Sequence, residues 1–168
     1  MELRPSLPNH PVPTWAAQAS ARPELHIEGL VDRPLALQPA DLAHLARVEL
    51  AEPFRCEEGW QTPVLAWQGV RLLDVLQLAG PQPAAGWARV SAGEYAIPIP
   101  LKDAAAAVLA DRLNGAPLGT EHGGPWRLVV PGASCFTSVK WVDRLELAAE
   151  PGGASGERIA RARLQPSG

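Results

Sequence analysis

The chain has 168 residues, 46% of them apolar and 20% charged, with a formal net charge of −3 at pH 7. That length fits one domain with a real core, and the charge offers no basic face or like-charge run for nucleic acid or a polyanion. Residues 1–13 hold no apolar stretch for a secretory signal, the longest apolar run (residues 104–110) is far too short to span a bilayer, and two cysteines make no disulfide framework. A reducing, cytoplasmic setting without membrane contact is expected.

Eighteen prolines, and six tryptophans beside two phenylalanines and one tyrosine, favour short strands joined by fixed loops, with indoles as core or pocket walls. Residues 1–23 read as an extended N-terminal arm, since Pro5, Pro8, Pro11 and Pro13 oppose helix. Residues 24–31 alternate polar and apolar side chains and predict a strand ending at Asp32-Arg33-Pro34. Pro39 starts a short helix over 40–47, and residues 48–56 are extended with an interruption at Pro53. Gly59 and Pro63 mark a loop, residues 67–70 a brief strand, and residues 72–78 a helix stopped at Gly80-Pro81. Residues 87–91 and 95–99 predict paired strands around Gly93. Residues 102–113 predict the clearest helix, closed by Asn114-Gly115. Strands over 126–130 and 139–147 flank a loop at 131–138. Beyond residue 150 the Gly-Gly-Ala-Ser-Gly stretch predicts a flexible tail, residues 151–168, with Arg158, Arg161 and Arg163. The order of elements argues a strand-rich, mixed α+β domain over 24–150, without repeats and without a glycine-rich nucleotide fingerprint.

The chemistry-bearing residues are few. There is no C-x-x-C, and His10, His26, His44 and His122 fit no close zinc spacing. Cys56 lies in Phe54-Arg55-Cys56-Glu57-Glu58-Gly59-Trp60. By itself it reads equally as a small buried hydrophobe or as a nucleophile awaiting a distant histidine. Arg55 would favour the thiolate, while Glu57 and Glu58 oppose it.

The wider pattern is more specific. Cys56-x-x-Gly59-Trp60 is followed by Trp67-x-Gly69-Val70-x-Leu72-x-Asp74-Val75-Leu76. Then come Ile99-Pro100-Leu101, Leu113-Asn114-Gly115-x-Pro117-Leu118, and His122-Gly123-Gly124-Pro125-Trp126-Arg127-Leu128-Val129-Val130-Pro131-Gly132. The last block is Ser138-Val139-Lys140-Trp141-Val142. In this order the blocks resemble the molybdopterin-binding domain of the sulfite oxidase superfamily. The resemblance implies a molybdopterin cofactor, with Cys56 as the thiolate on molybdenum, a soft ligand suited to such a metal. It implies cofactor contacts from His122, Arg127, Ser138, Val139 and Lys140, from Ser91, and from Asn9 and His10 in the arm. Arg127 would grip a phosphate as a planar fork and Lys140 as a point charge.

The function implied by the resemblance is two-electron oxygen-atom transfer on a small substrate, reset by an external electron-transfer partner. The alternatives are a molybdopterin-binding subunit without turnover of its own, or an interaction domain with a structural cysteine. Departures from the family pattern fall in Ala133-Ser134-Cys135-Phe136-Thr137, where Cys135 replaces a glycine and Thr137 a lysine, and in the short C-terminal segment. The sequence assigns Cys135 no role.

Overall fold

The structure is a computed structural model that describes residues 1–165; residues 166–168, the end of the expected tail, lie outside the described residues. In chain order the elements are β1 (Glu2–Leu3), α1 (Thr14–Ala21), β2 (Leu25–Gly29), β3 (Leu35–Leu37), α2 (Pro39–Leu42), β4 (Arg47–Arg55), β5 (Trp60–Arg71) and α3 (Leu72–Gln77). They continue with β6 (Trp87–Ala92), β7 (Tyr95–Pro100), β8 (Val108–Leu113), β9 (Ala116–Pro117), β10 (Arg127–Val129), β11 (Arg144–Ala148) and α4 (Ser155–Leu164). The domain is the strand-rich α+β type that the sequence predicts.

Several local expectations need correction. The stretch over 102–113 is not a helix: a 3-10 turn at Leu101–Asp103 leads into β8, which pairs with β5 and β10. Asn114-Gly115 ends no helix there but forms the two-residue turn of the β8–β9 hairpin, with Leu113 opposite Ala116. Both turn residues have positive φ, 50° and 82°, as a type I′ turn requires. Tertiary pairing on two sides outweighs the helix propensity of the alanine run.

The arm is not extended throughout either. Pro5, Pro8, Pro11 and Pro13 all precede α1, with Pro13 at the N-cap, and Pro23 follows it, so the alanine-rich Thr14–Ala21 is free to coil. The helix expected over 40–47 stops after the single turn of α2, because Arg47 already pairs with Val70 in a sheet. Gly59 stands in a turn as expected, but Pro63 and the brief strand at 67–70 belong to one 12-residue strand, β5. Pro63 is tolerated because it falls between the residues paired to β1 and those paired to β8. The strand expected over 139–147 is regular only in β11; Trp141, with φ of 56°, breaks its first half. At the C-terminus, Ser155–Leu164 is helical rather than loose, held by Ser155 Oγ, which donates to the Glu94 carbonyl and accepts from the Ala96 N–H.

The strands form two sheets. One runs β1-β5-β8-β10 with β4 on β5 and β9 on β8; the other runs β3-β2-β11-β6-β7. Alternation along the first sheet supplies two cores. Val70, Leu109 and Leu128 face the second sheet and α3, while Trp67, Val108, Ala110 and Val129 face the other way, packing with Trp60, Leu65 and Leu7 of the arm. The candidate site lies on this second face. Among the described residues, no helix is long and apolar enough to cross a membrane.

Leu145, in the central strand of the five-stranded sheet, is fully buried. Leu145→Ala should lower unfolding stability by about 2–5 kcal/mol. Val64→Ala, at a side chain 63% exposed, should stay within about 0.5 kcal/mol. Urea unfolding midpoints of the two variants test the assignment of the core.

Candidate functional site

Arg127 opens β10 on the face it shares with Val129. Its guanidinium lies 5.3 Å from the Phe54 ring centroid and 5.1 Å from that of Trp67. Nε donates to Ser138 Oγ at 2.8 Å and Nη1 to the His122 carbonyl at 2.9 Å. The residue is 3% exposed, and burial pulls its pKa down to about 10. Among the described residues no carboxylate pairs with it.

Lys140 comes from the loop before β11. Its stem packs on Gly123, where an added Cβ would sit 2.8 Å from the Lys140 Cβ and where φ is +100°. Glycine is needed there twice over. Burial, with repulsion from Arg127 and Arg163, pulls the ammonium down to about 8. It forms no ion pair among the described residues, and its nearest aromatic partner is the Trp141 ring, 5.7 Å away. His122, just before Gly123, has a buried Nδ1 without a hydrogen-bond partner, and burial lowers its pKa. His10, delivered by the arm, is lowered by burial and then by Lys140, Arg127 and Arg4, with Glu58 opposing. Buried cations are normally paired. A group of bases this short of counter-charge has the chemistry of an anion site.

Cys56 stands one residue beyond β4, at the tip of its hairpin with β5. Its N–H donates to the Trp60 carbonyl at 2.9 Å, and its carbonyl accepts from the Gly59 N–H at 3.0 Å. This turn needs the positive φ of Gly59, 89°. The thiol points toward Glu58 Oε2 at 3.5 Å, an oxygen that also accepts from Trp60 Nε1 at 3.3 Å. Burial pushes the thiol up to about 11 against the help of the Glu58 backbone N–H, with Cys135 adding to the rise. Such a thiol is not a ready nucleophile, but coordination to a metal deprotonates it outright.

The structure thus brings together His10, His122, Arg127, Ser138 and Lys140. Val139 is close by in sequence, yet its N–H donates to Thr137 and its carbonyl accepts from Leu128, each at 2.9 Å, while its side chain is in the core. Ser138 N–H is likewise committed, to the Cys135 carbonyl at 3.1 Å. Ser91 sits on β6 opposite Arg144, its carbonyl accepting from Asp143, and makes no hydrogen bond to the basic group. Asn9 is exposed beside His10. Sequence reasoning missed Tyr95 and Arg4, and gave Glu58 and Arg163 no part in the basic group. Tyr95 donates to the Phe136 carbonyl at 2.7 Å, and burial raises its pKa to about 12, with Cys135, Arg163 and Arg127 also acting on it. The one available signal was that Tyr95 is the chain's single tyrosine.

A family model described as an oxidoreductase molybdopterin binding domain matches residues 10–155. The chain belongs to that family. This molybdopterin-binding domain is 36% identical over 129 residues to the uncharacterized oxidoreductase YuiH of Bacillus subtilis (strain 168), covering 75% of the chain and 65% of YuiH. It is 30% identical over 175 residues to the mitochondrial sulfite oxidase of Homo sapiens, covering 85% of the chain and 32% of that protein. The crystal structure of the sulfane dehydrogenase SoxCD from Paracoccus pantotrophus superposes with a TM-score of 0.71 at 28% identity, covering 77% of this chain and 39% of the other. The domain therefore spans less than two thirds of YuiH and about a third of the human enzyme. The sulfite-oxidase-type fold and the molybdopterin cofactor class expected from the resemblance are both borne out.

The basic group makes a prediction independent of the cofactor. Millimolar sulfate, whose charge is constant near neutrality, should raise the melting temperature of cofactor-free protein at pH 7 and constant ionic strength. Lys140 is charged only below about 8, so the stabilisation should fade as pH rises through that value. An effect equal at pH 7 and pH 9.5, or none at pH 7, contradicts the assignment.

Proposed function

We propose that this chain carries the molybdopterin of a molybdenum oxidoreductase, with Cys56 as the metal's protein thiolate. In this reading Arg127, Lys140, His122 and His10 hold the cofactor's anionic part. The observation that supports it is the juxtaposition itself: buried Arg127 and half-buried Lys140 lack any carboxylate partner among the described residues, and both converge on His10 together with Glu58, the partner of the Cys56 thiol. When bound, the cofactor supplies two-electron oxygen-atom transfer to or from a small substrate.

The chain's own residues do the rest. Arg127, fixed by Phe54, Trp67 and Ser138, presents its remaining edge as a rigid fork. Lys140 adds a charge that an anion would return to its ordinary, protonated state. His122 offers Nδ1 as one further hydrogen-bonding atom. Ser138 and Val139 act as positioning residues, holding the loop that aims Lys140. Asn9 and Ser91 would be outlying contacts, reached from the arm and from β6. The hairpin tip, with Gly59 behind it, sets the direction of the Cys56 sulfur.

Molybdenum and pterin should co-purify with the protein in about equal amounts when the host makes the cofactor. Cys56→Ser should lose the metal or change its spectrum, because a hydroxyl is harder and far less acidic than a thiol. Unchanged metal content and spectrum in that variant would contradict the thiolate assignment.

Substrate turnover is expected to need an added electron carrier. The chain has no C-x-x-C-H motif, and its two cysteines cannot hold a four-thiolate cluster. The purified protein should show no haem, flavin or iron–sulfur absorbance; it should reduce artificial acceptors if sulfite is a competent substrate, or oxidise artificial donors if a sulfoxide or nitrate is. Sustained anaerobic turnover without any carrier would overturn this expectation.

A further inference from the structure

Cys135, to which the proposed function gives no role, is tied to the turn that carries Cys56. Ser134 Oγ donates to Glu57 Oε1 at 2.9 Å, and the Glu57 N–H donates to Cys135 Sγ at 3.5 Å. The Cys135 sulfur therefore lies against the backbone of the residue that follows Cys56. Both sulfurs are free and neither residue is fully buried. Cys56 follows the last β4–β5 pair, and Cys135 opens a 3-10 turn between β10 and β11. Neither is locked in a sheet ladder, so both can move the short way to bonding distance, about 2.05 Å between sulfurs.

We propose that Cys56 and Cys135 are a modification site: in cofactor-free protein they close to a reversible intramolecular disulfide under a peroxide-class oxidant. The Cys135 sulfur attacks hydrogen peroxide, the O–O bond breaks, water leaves and Cys135 becomes a sulfenic acid. The second thiol sulfur then attacks it, the S–O bond breaks, the S–S bond forms and a second water leaves. Two electrons pass from the thiols to the peroxide, and a dithiol reductant returns them with two protons. The consequence, which rests on the proposed function, is that the closed pair cannot take up molybdenum, so oxidation masks the ligand until the protein is reduced.

The test uses full-length, cofactor-free protein, reduced and then treated with one equivalent of hydrogen peroxide. Free thiols should fall from two to none in a monomer. Digestion without reductant should give a peptide joining Cys56 to Cys135, and dithiothreitol should restore both thiols. In Cys56→Ser, Cys135 should instead be trapped as a sulfenic acid by dimedone, at several-fold higher yield than in wild type. Persistent thiols, intermolecular links, or equal dimedone labelling of wild type and variant would overturn the proposal. Repeating the oxidation on cofactor-loaded protein separates the two readings. A cross-link in both forms would leave the pair standing and remove Cys56 from the metal. No cross-link in the free form would remove the pair and leave the cofactor reading untouched.

Discussion

Placing a buried guanidinium beside a half-buried ammonium sets the terms for the rest of this structure. Taking a charge out of water is costly unless an opposite charge meets it. Arg127 offsets part of that cost locally, through Ser138, the His122 carbonyl and the faces of Phe54 and Trp67. Lys140 has less to offset it, and its pKa, pulled down to about 8, reports the strain. Under the proposed function, an anion of the cofactor's kind would answer both.

The fold serves that arrangement. The two-faced first sheet turns Leu128 into the main core and Arg127 to the opposite side, so one strand both anchors the domain and aims the cation. The β4–β5 hairpin, paired from Arg47 to Arg55, carries Cys56 to its tip. Gly123 lets the segment after β9 approach the Lys140 stem closely, and Trp141 Nε1 clamps the same region by donating to the Thr120 carbonyl at 2.8 Å. On the outside, α1 packs Trp15 edge-on against Trp141, 5.8 Å between centroids, and Ser20 Oγ donates to the Gly124 carbonyl. At the other side α4 places Arg161 over the Phe136 ring. The arm and the tail are thus covers for the site's two flanks.

These covers are where sequence reading fell short. Proline density in residues 1–13 and glycines at 152, 153 and 156 speak locally for irregular chain. What makes α4 a docked helix is tertiary: Gly156 lies against the Tyr95 ring, where an added Cβ would come within 2.6 Å of Cε1. Asn114-Gly115 was ambiguous for the same reason, since a helix stop and a hairpin turn share those residues and only the pairing partners decide. By contrast Cys56, Arg127, Lys140 and His122 were legible because each sits in a short contiguous motif. Tyr95 and Arg163 were not, because they reach the site only through the packing of β7 and α4.

Lys140 is, at the centre of all this, a half-buried charge without an ion-pair partner among the described residues, which the proposed function gives to the cofactor. Lys140→Met keeps length and apolar stem but removes the charge. The folded-state pKa lies below the ordinary 10.5, so in cofactor-free wild type the charged lysine weakens folding below about pH 8, and stability recovers as pH rises toward 10.5. Urea unfolding of cofactor-free Lys140→Met against wild type should therefore show the variant more stable at pH 7, with the gap closing between about pH 8 and 10.5, while the variant retains less cofactor. A variant that is less stable than wild type by the same margin at every pH, and that still holds its cofactor after dialysis, would contradict that role for Lys140.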